Sequence, residues 1–104
     1  MNNKIDNNIL TKEEILNFLR NNKDYFKKNF DVDNIILFGS YARDEAGPDS
    51  DIDIIIKSKT KKFDQWYRLK TFLEKSLKKN VDVVFFDAIH PFIMRFIKEE
   101  LIYA

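Results

Sequence analysis

The sequence predicts an α+β fold, a small mixed or antiparallel sheet with helices packed mainly on one of its faces. Three observations predict it. Apolar side chains recur at helical spacing in two long segments, and three short apolar runs have the length of strands. The connection between the first two strands is too short to hold a crossover helix, so these strands are expected to pair antiparallel.

Length and composition predict a single domain spanning residues 1–104. Hydrophobic residues make up 44% of the 104 residues, and ten of them are phenylalanines, each of which can bury a large apolar area. Residues 1–10 are rich in asparagine and are expected to form a flexible polar lead-in. The sequence contains no cysteine, which excludes disulfides, thiolate metal sites and a cysteine nucleophile.

The first predicted elements are a helix, a strand and a short helix. Thr11 and Glu14 have the spacing of a capping box, which predicts the start of a helix from Lys12 to Asn29. The apolar positions that follow at helical spacing are Ile15, Phe18, Leu19, Tyr25, Phe26 and Phe30. The nearly all-apolar run Asn34–Phe38 predicts a buried strand, and Tyr41–Arg43 after it predicts a short helix.

The second half of the chain predicts two more strands, two helices and an edge strand. Ser50–Lys57 and Val81–Phe86 predict strands, and Phe63–Lys79 between them predicts a helix with a stripe of leucines. Pro91 suits the first position of a last helix, because that position needs no N–H donor. The face of this helix that is expected to be buried consists of Phe92, Ile93, Phe96 and Ile97. Leu101–Ala104 predicts a short edge strand.

Charge and hydropathy exclude several classes of partner. The formal net charge is +1, which argues against nucleic acid as a direct ligand, because proteins that coat nucleic acid are usually strongly basic. No apolar run approaches the length of a membrane span, and the first residues lack the apolar segment of a signal peptide. We therefore expect a cytoplasmic protein with no membrane partner.

Asp51 and Asp53 lie in a predicted strand, where aspartate is uncommon because its side chain competes for backbone hydrogen bonds. Residues two apart share a face of a strand, so the two carboxylates are expected to lie side by side and to repel each other. A Mg²⁺ ion bound between them would remove that repulsion. The alternative is that both carboxylates face solvent while the neighbouring isoleucines face the core.

Two further features could complete a site for a metal and a phosphate. Gly39 and Ser40 follow a buried strand directly, where a glycine allows close approach of a ligand and the N–H groups of the next turn suit an anion. Asp82 lies in the third strand and could join the other acids if the two strands are neighbours, then bind metal and help deprotonate a hydroxyl. The alternatives are an ordinary turn with a serine cap and an exposed aspartate at a strand end.

The order Gly39-Ser40, ten residues, then Asp51-Ile52-Asp53 resembles the signature of the DNA polymerase β-like nucleotidyltransferases. The resemblance covers about residues 34–86. Within that superfamily the chain is similar to the minimal nucleotidyltransferases (MNT), which are often the antitoxins of HEPN–MNT toxin–antitoxin pairs. One departure is visible, because the family often has glycine after the arginine of the motif, where this chain has Asp44.

The resemblance implies a nucleotidyltransferase fold and a Mg²⁺-dependent enzyme that transfers AMP from ATP to a hydroxyl, namely a tyrosine of a HEPN toxin partner. It implies that the catalytic residues, which also bind two Mg²⁺ ions, are Asp51, Asp53 and Asp82. It implies that the nucleotide is held by Gly39 and Ser40, with Arg43 as a further candidate. Arg43 could contact phosphate or ribose, or could brace the acidic loop through Asp44, Glu45 or Asp49.

The competing functional hypothesis is a non-catalytic scaffold that neutralises a partner protein by binding it. An intact Gly-Ser pair and three candidate acids favour the enzyme, because a pure binder does not need them. Other polar or aromatic residues are expected to have structural roles. Lys57–Lys62 is expected to be a solvated connector, His90 a helix cap, and Trp66 a core residue.

Overall fold

The computed structural model describes residues 10–104 and confirms the predicted α+β class. The predicted lead-in, apart from Leu10, lies outside the described residues. The helices are α1 (Lys12–Asn21), α2 (Lys23–Phe30), α3 (Phe63–Leu77) and α4 (Pro91–Ile97). The strands are β1 (Asn34–Phe38), β2 (Ile52–Lys57), β3 (Val81–Phe85) and β4 (Ile102–Tyr103).

The four strands form one mixed sheet in the order β3-β2-β1-β4. Strand β1 pairs antiparallel with both β2 and β4, as the short β1–β2 connection predicts. Strands β2 and β3 are parallel, because α3 carries the chain back to the same end of the sheet before β3 begins. The candidate site residues of β2 and β3 therefore lie at the same end of these two neighbouring strands.

The main core lies between one face of the sheet and helices α1, α2 and α3. Alternate residues of each strand point to this face, as the period of two requires. The core residues contributed by the sheet are Ile35, Leu37, Ile52, Ile54, Ile56, Val81 and Val83. Those contributed by the three helices include Ile15, Leu19, Phe26, Leu69 and Leu73. This packing confirms the prediction that the helices lie mainly on one face.

The predicted helix Lys12–Asn29 is wrong in one respect, because the chain forms two helices that meet at Asn22. The amide nitrogen of the Asn22 side chain donates to Phe18 O at 2.8 Å and so competes with the helical backbone ladder. The predicted capping box is present, since Glu14 N donates to the Thr11 hydroxyl and Thr11 N donates to the Glu14 carboxylate.

The predicted burial of α4 is also wrong. The exposed fractions of Phe92, Ile93 and Phe96 are 56%, 49% and 71%. The connection from β3 at one edge of the sheet to β4 at the other edge must cross a face, and no α4 residue belongs to the main core. This seven-residue helix turns only a narrow stripe inward, with Met94 and Ile97 half-buried, so its phenylalanines remain in solvent.

Candidate active site

Asp53 and Asp82 are direct neighbours in the sheet. The parallel register of β2 and β3 aligns Asp53 with Asp82, so both side chains leave the sheet on the face opposite the main core. On its other side Asp53 is aligned with Phe38, the last residue of β1. The pairing therefore places two acids beside the turn that begins at Gly39.

Asp51 lies just before β2 rather than inside it, which corrects the predicted start of that strand at Ser50. It is exposed, as is Asp82, whereas Asp53 is half-buried. Burial raises the pKa of Asp53, and the charges of Asp82 and Asp51 raise it further. Repulsion among the three carboxylates therefore results from this fold, and Asp53 is the acid whose pKa it raises.

The donor set fits a hard cation. The three acids offer only oxygen donors, which Mg²⁺ prefers, and their crowding favours either a proton or a cation at Asp53. Within residues 10–104 no three acidic or histidine side chains converge closely enough to hold an ion unaided. Mg²⁺ commonly takes one or two carboxylates and completes its shell with substrate phosphates and water, so the arrangement fits binding together with a nucleotide.

Gly39 is required by its contact with Asp53. Its φ of +79° is a left-handed conformation, and a β-carbon added there would overlap the Asp53 carboxylate, with its Cγ only 2.9 Å away. The absence of a side chain lets the turn lie directly against the acid. Glycine is therefore the only residue that fits this position without displacing Asp53.

The segment after Gly39 is a series of turns, so the predicted short helix at Tyr41–Arg43 is wrong. Its bonds are those of turns, with Arg43 N donating to Gly39 O and Glu45 N to Ser40 O. Within the described part of the chain, the N–H groups of Ser40, Tyr41 and Ala42 donate to no backbone oxygen. Consecutive N–H groups of this kind form a concavity that suits an anion.

Asp44 has a φ of +61°, the left-handed conformation that glycine adopts most readily. Aspartate is one of the few other residues found there. Lys12 Nζ bonds to the Asp44 carboxylate at 2.8 Å and helps to hold it. The departure from the family pattern at this position is therefore compatible with the turn that a glycine would form.

Arg43 is held by two glutamates. Its Nε donates to Glu45 at 3.0 Å, and its Nη1 donates to Glu100 at 3.1 Å, contacts that raise the pKa of Arg43. Bracing by Glu45 is one of the two alternatives that the sequence leaves open, whereas the contact with Glu100 is not predicted. The predicted edge strand is a sequence signal for the Glu100 contact. If β4 pairs antiparallel with β1, the residues just before β4 lie beside Gly39.

An open polar cavity of about 500 Å³ borders Asp51, large enough for part of a nucleotide. Two lysines and a serine contribute to its wall, together with the residues that precede β3. The lining includes Ser50, Asp51, Lys78, Lys79 and Asn80. Of the three candidate acids only Asp51 lines this cavity, beside two further acids, Asp49 and Glu74.

Two residues predicted to be structural have such contacts. His90 Nδ1 accepts from Phe92 N at 3.0 Å and caps α4, which begins at Pro91 as predicted. Trp66 packs against the main core and donates from its indole nitrogen to Val83 O at 2.7 Å. In the Lys57–Lys62 segment, Lys61 pairs with Asp87 at 3.0 Å.

The chain has clear relatives. The sequence model of a family described as "Polymerase beta, Nucleotidyltransferase" matches residues 20–104. A Thermococcus cleftensis relative, protein adenylyltransferase MntA, is 33% identical over 97 residues, which are 92% of this chain and 98% of the relative. Within residues 10–104, no helix is both long and apolar enough to cross a membrane.

Solved structures resemble this fold. A structure provisionally described as a minimal nucleotidyltransferase is 28% identical with a TM-score of 0.74, covering 89% of this chain and 95% of that one. A toxin–antitoxin structure with AMP-PNP is 27% identical with a TM-score of 0.57, covering 81% of this chain and 64% of that one.

Proposed function

Because the chain belongs to the polymerase β-type nucleotidyltransferase family, we propose that it transfers AMP from ATP, with Mg²⁺, to a tyrosine hydroxyl of a HEPN-type toxin. The observation that carries the proposal is the alignment of Asp53 with Asp82 beside the Gly39 turn. The adenylyltransferase name of the relative and the toxin–antitoxin structure with AMP-PNP support the choice of nucleotide and partner.

The positions of the three acids support the roles proposed for them. Asp51, Asp53 and Asp82 would hold two Mg²⁺ ions, whose positive charge would stabilise the triphosphate and the leaving pyrophosphate. Asp82 is exposed, so it can also accept the proton of the attacking hydroxyl. A bond forms between that oxygen and the α-phosphorus of ATP. The bond from the α-phosphorus to the oxygen that bridges to the β-phosphate breaks, and pyrophosphate leaves.

The turn after β1 supplies the phosphate contacts in this proposal. The N–H groups of Ser40, Tyr41 and Ala42 and the Ser40 hydroxyl would bind phosphate oxygens. Arg43, which Glu45 and Glu100 hold, is a further candidate contact to phosphate or ribose. Gly39 allows this turn to approach Asp53, so that phosphates and metal meet. In this proposal residues 1–104 act as one minimal domain, and the enzyme works in the cytoplasm.

The test uses the product of the adjacent gene as the acceptor. Wild-type protein, Asp82→Asn and the control Asp24→Asn are each incubated with ATP, Mg²⁺ and the purified partner. Intact-mass spectrometry should show added AMP with wild type and control, and a loss of about 10²–10⁴-fold in rate with Asp82→Asn. Asp24 is an exposed acid of α2, so its replacement controls for loss of a surface charge.

The scaffold hypothesis gives a different result in the same experiment. A partner that stays unmodified by wild type, yet is neutralised equally by wild type and Asp82→Asn, would contradict the enzyme. A partner that carries AMP only when Asp82 is intact would contradict the scaffold. Gel filtration of the two proteins expressed together should show a complex in either case.

A further inference from the structure

Glu100 lies beside the candidate phosphate turn although it is 61 positions further along the chain than Gly39. Its carboxylate accepts from Gly39 N at 2.8 Å and from Arg43 Nη1 at 3.1 Å. The side chain is only 17% exposed, which strengthens hydrogen bonds to a charged group. These contacts join the end of the chain to the turn after β1.

Strand β4 determines where Glu100 lies. Its antiparallel register aligns Ile102 with Leu37, and the same register continued by two residues places Glu100 opposite Gly39. The pairing also includes Ala104 N, which donates to Ile35 O at 3.0 Å. The two-residue strand therefore has a consequence beyond sheet formation, because it delivers an acid to the site.

Gly39 is held between two carboxylates. Asp53 approaches it from the β2 side, where a β-carbon would collide, and Glu100 takes its N–H from the β4 side. Among the backbone N–H groups of the turn, Glu100 accepts from that of Gly39. The next three N–H groups of the turn have no backbone acceptor among residues 10–104. The contact therefore fixes the turn without occupying the groups that suit a phosphate.

We propose that Glu100 is a positioning residue for nucleotide binding, which holds Gly39 and Arg43 so that the following N–H groups face the triphosphate. This role rests on the proposed function of the site. It accounts for a half-buried carboxylate beside a turn that should receive a polyanion, since Glu100 is paired with Arg43. Without it the turn would lose one backbone anchor and Arg43 would lose one of its two partners.

The test compares Glu100→Ala, Glu100→Gln and the control Glu99→Ala in the full chain. Glu99 is its exposed neighbour in the short 3-10 helix Lys98–Glu100. Glu100→Ala should weaken MgATP binding and raise KM for ATP by about tenfold, with a smaller change in kcat. Glu100→Gln should restore part of the affinity, because its amide oxygen still accepts from Gly39 N. Amide exchange of Gly39 should become faster in Glu100→Ala alone.

Three results would overturn parts of this account. Tighter MgATP binding by Glu100→Ala would mean that the carboxylate competes with phosphate. A lower Tm with unchanged affinity would mean that Glu100 only stabilises the fold. Wild-type protein that binds no MgATP would contradict the proposed function and this role together, whereas the first two results contradict the role of Glu100 alone.

Discussion

Gly39 and Asp53 are in such close contact that no β-carbon fits between them. The Cγ atom of Asp53 lies 2.9 Å from the position that a β-carbon of Gly39 would take. The antiparallel register of β1 and β2, which aligns Phe38 with Asp53, produces this contact. Loop geometry and acid position are therefore coupled through one pair of residues.

Gly39→Ala should lower both stability and activity. The left-handed φ alone costs about 1–2 kcal/mol with a β-carbon, and the collision with Asp53 adds to that. In a domain of this size each kcal/mol lowers Tm by about 4–8 °C. The control is Gly47→Ala, because a β-carbon there meets nothing within 4 Å. Equal thermal melting of the two variants would contradict the coupling.

The metal-free protein should become less stable through Asp53 as pH rises. The pKa of Asp53 is raised by burial and by Asp82 and Asp51, so its neutral form is favoured in the folded state. Its contribution to the free energy of unfolding is complete below the unfolded pKa and is lost as pH rises through the folded pKa. Asp53→Asn should remove that loss.

The measurement for Asp53 is the difference in Tm between wild type and Asp53→Asn between about pH 4 and pH 8. The Tm of Asp53→Asn should rise relative to that of the wild type as pH rises. Asp24→Asn serves as the control, because Asp24 lies on α2, far from the cluster in sequence. A difference that does not change with pH would refute the electrostatic account.

ATP binding should depend on a divalent ion. The acids alone do not converge enough to hold an ion within residues 10–104, so phosphate oxygens must complete the shell. Calorimetry with wild type should show ATP binding with Mg²⁺ and none with EDTA. The double variant Asp51→Asn/Asp53→Asn should bind in neither condition. If it bound as well as wild type, these acids would not be the metal ligands.

Ser40→Ala should impair transfer less than Asp53→Ala does. Ser40 is half-buried and would offer one hydrogen bond to phosphate, whose loss is worth about tenfold in kcat/KM. Asp53→Ala removes a proposed metal ligand, so the loss should be about 100-fold or more. The measurement is kcat/KM for AMP transfer by each variant under steady-state conditions. Equal losses in the two variants would contradict this division of roles.

The double variant Phe92→Ser/Phe96→Ser should leave stability within about 0.5 kcal/mol, because both rings are exposed. The matched control is Phe26→Ala in the main core, which should cost about 3–5 kcal/mol. Urea unfolding of both variants tests this expectation. A large loss in the double variant would mean that α4 buries the face that the sequence pattern predicts.

Local sequence patterns were sufficient to predict many of the helices and strands of this protein. The capping box at Thr11, the β1 run and the helix start at Pro91 depend on residues a few positions apart, so the sequence alone determined them. The spacing from Ser40 to Asp51 identified the family in the same way. The break at Asn22 was missed, because a single side-chain bond to Phe18 O interrupts a pattern that otherwise reads as one helix.

Tertiary structure decided the relationships that join distant segments. The alignment of Asp82 with Asp53 depends on the parallel register that α3 allows, and the place of Glu100 depends on β4 pairing with β1. The exposure of the α4 phenylalanines depends on the position of α4 outside the main core, which no local pattern shows. Sequence spacing determined which residues are chemically suitable, whereas strand register determined which of them meet, because hydrogen bonds between strands act across any separation along the chain.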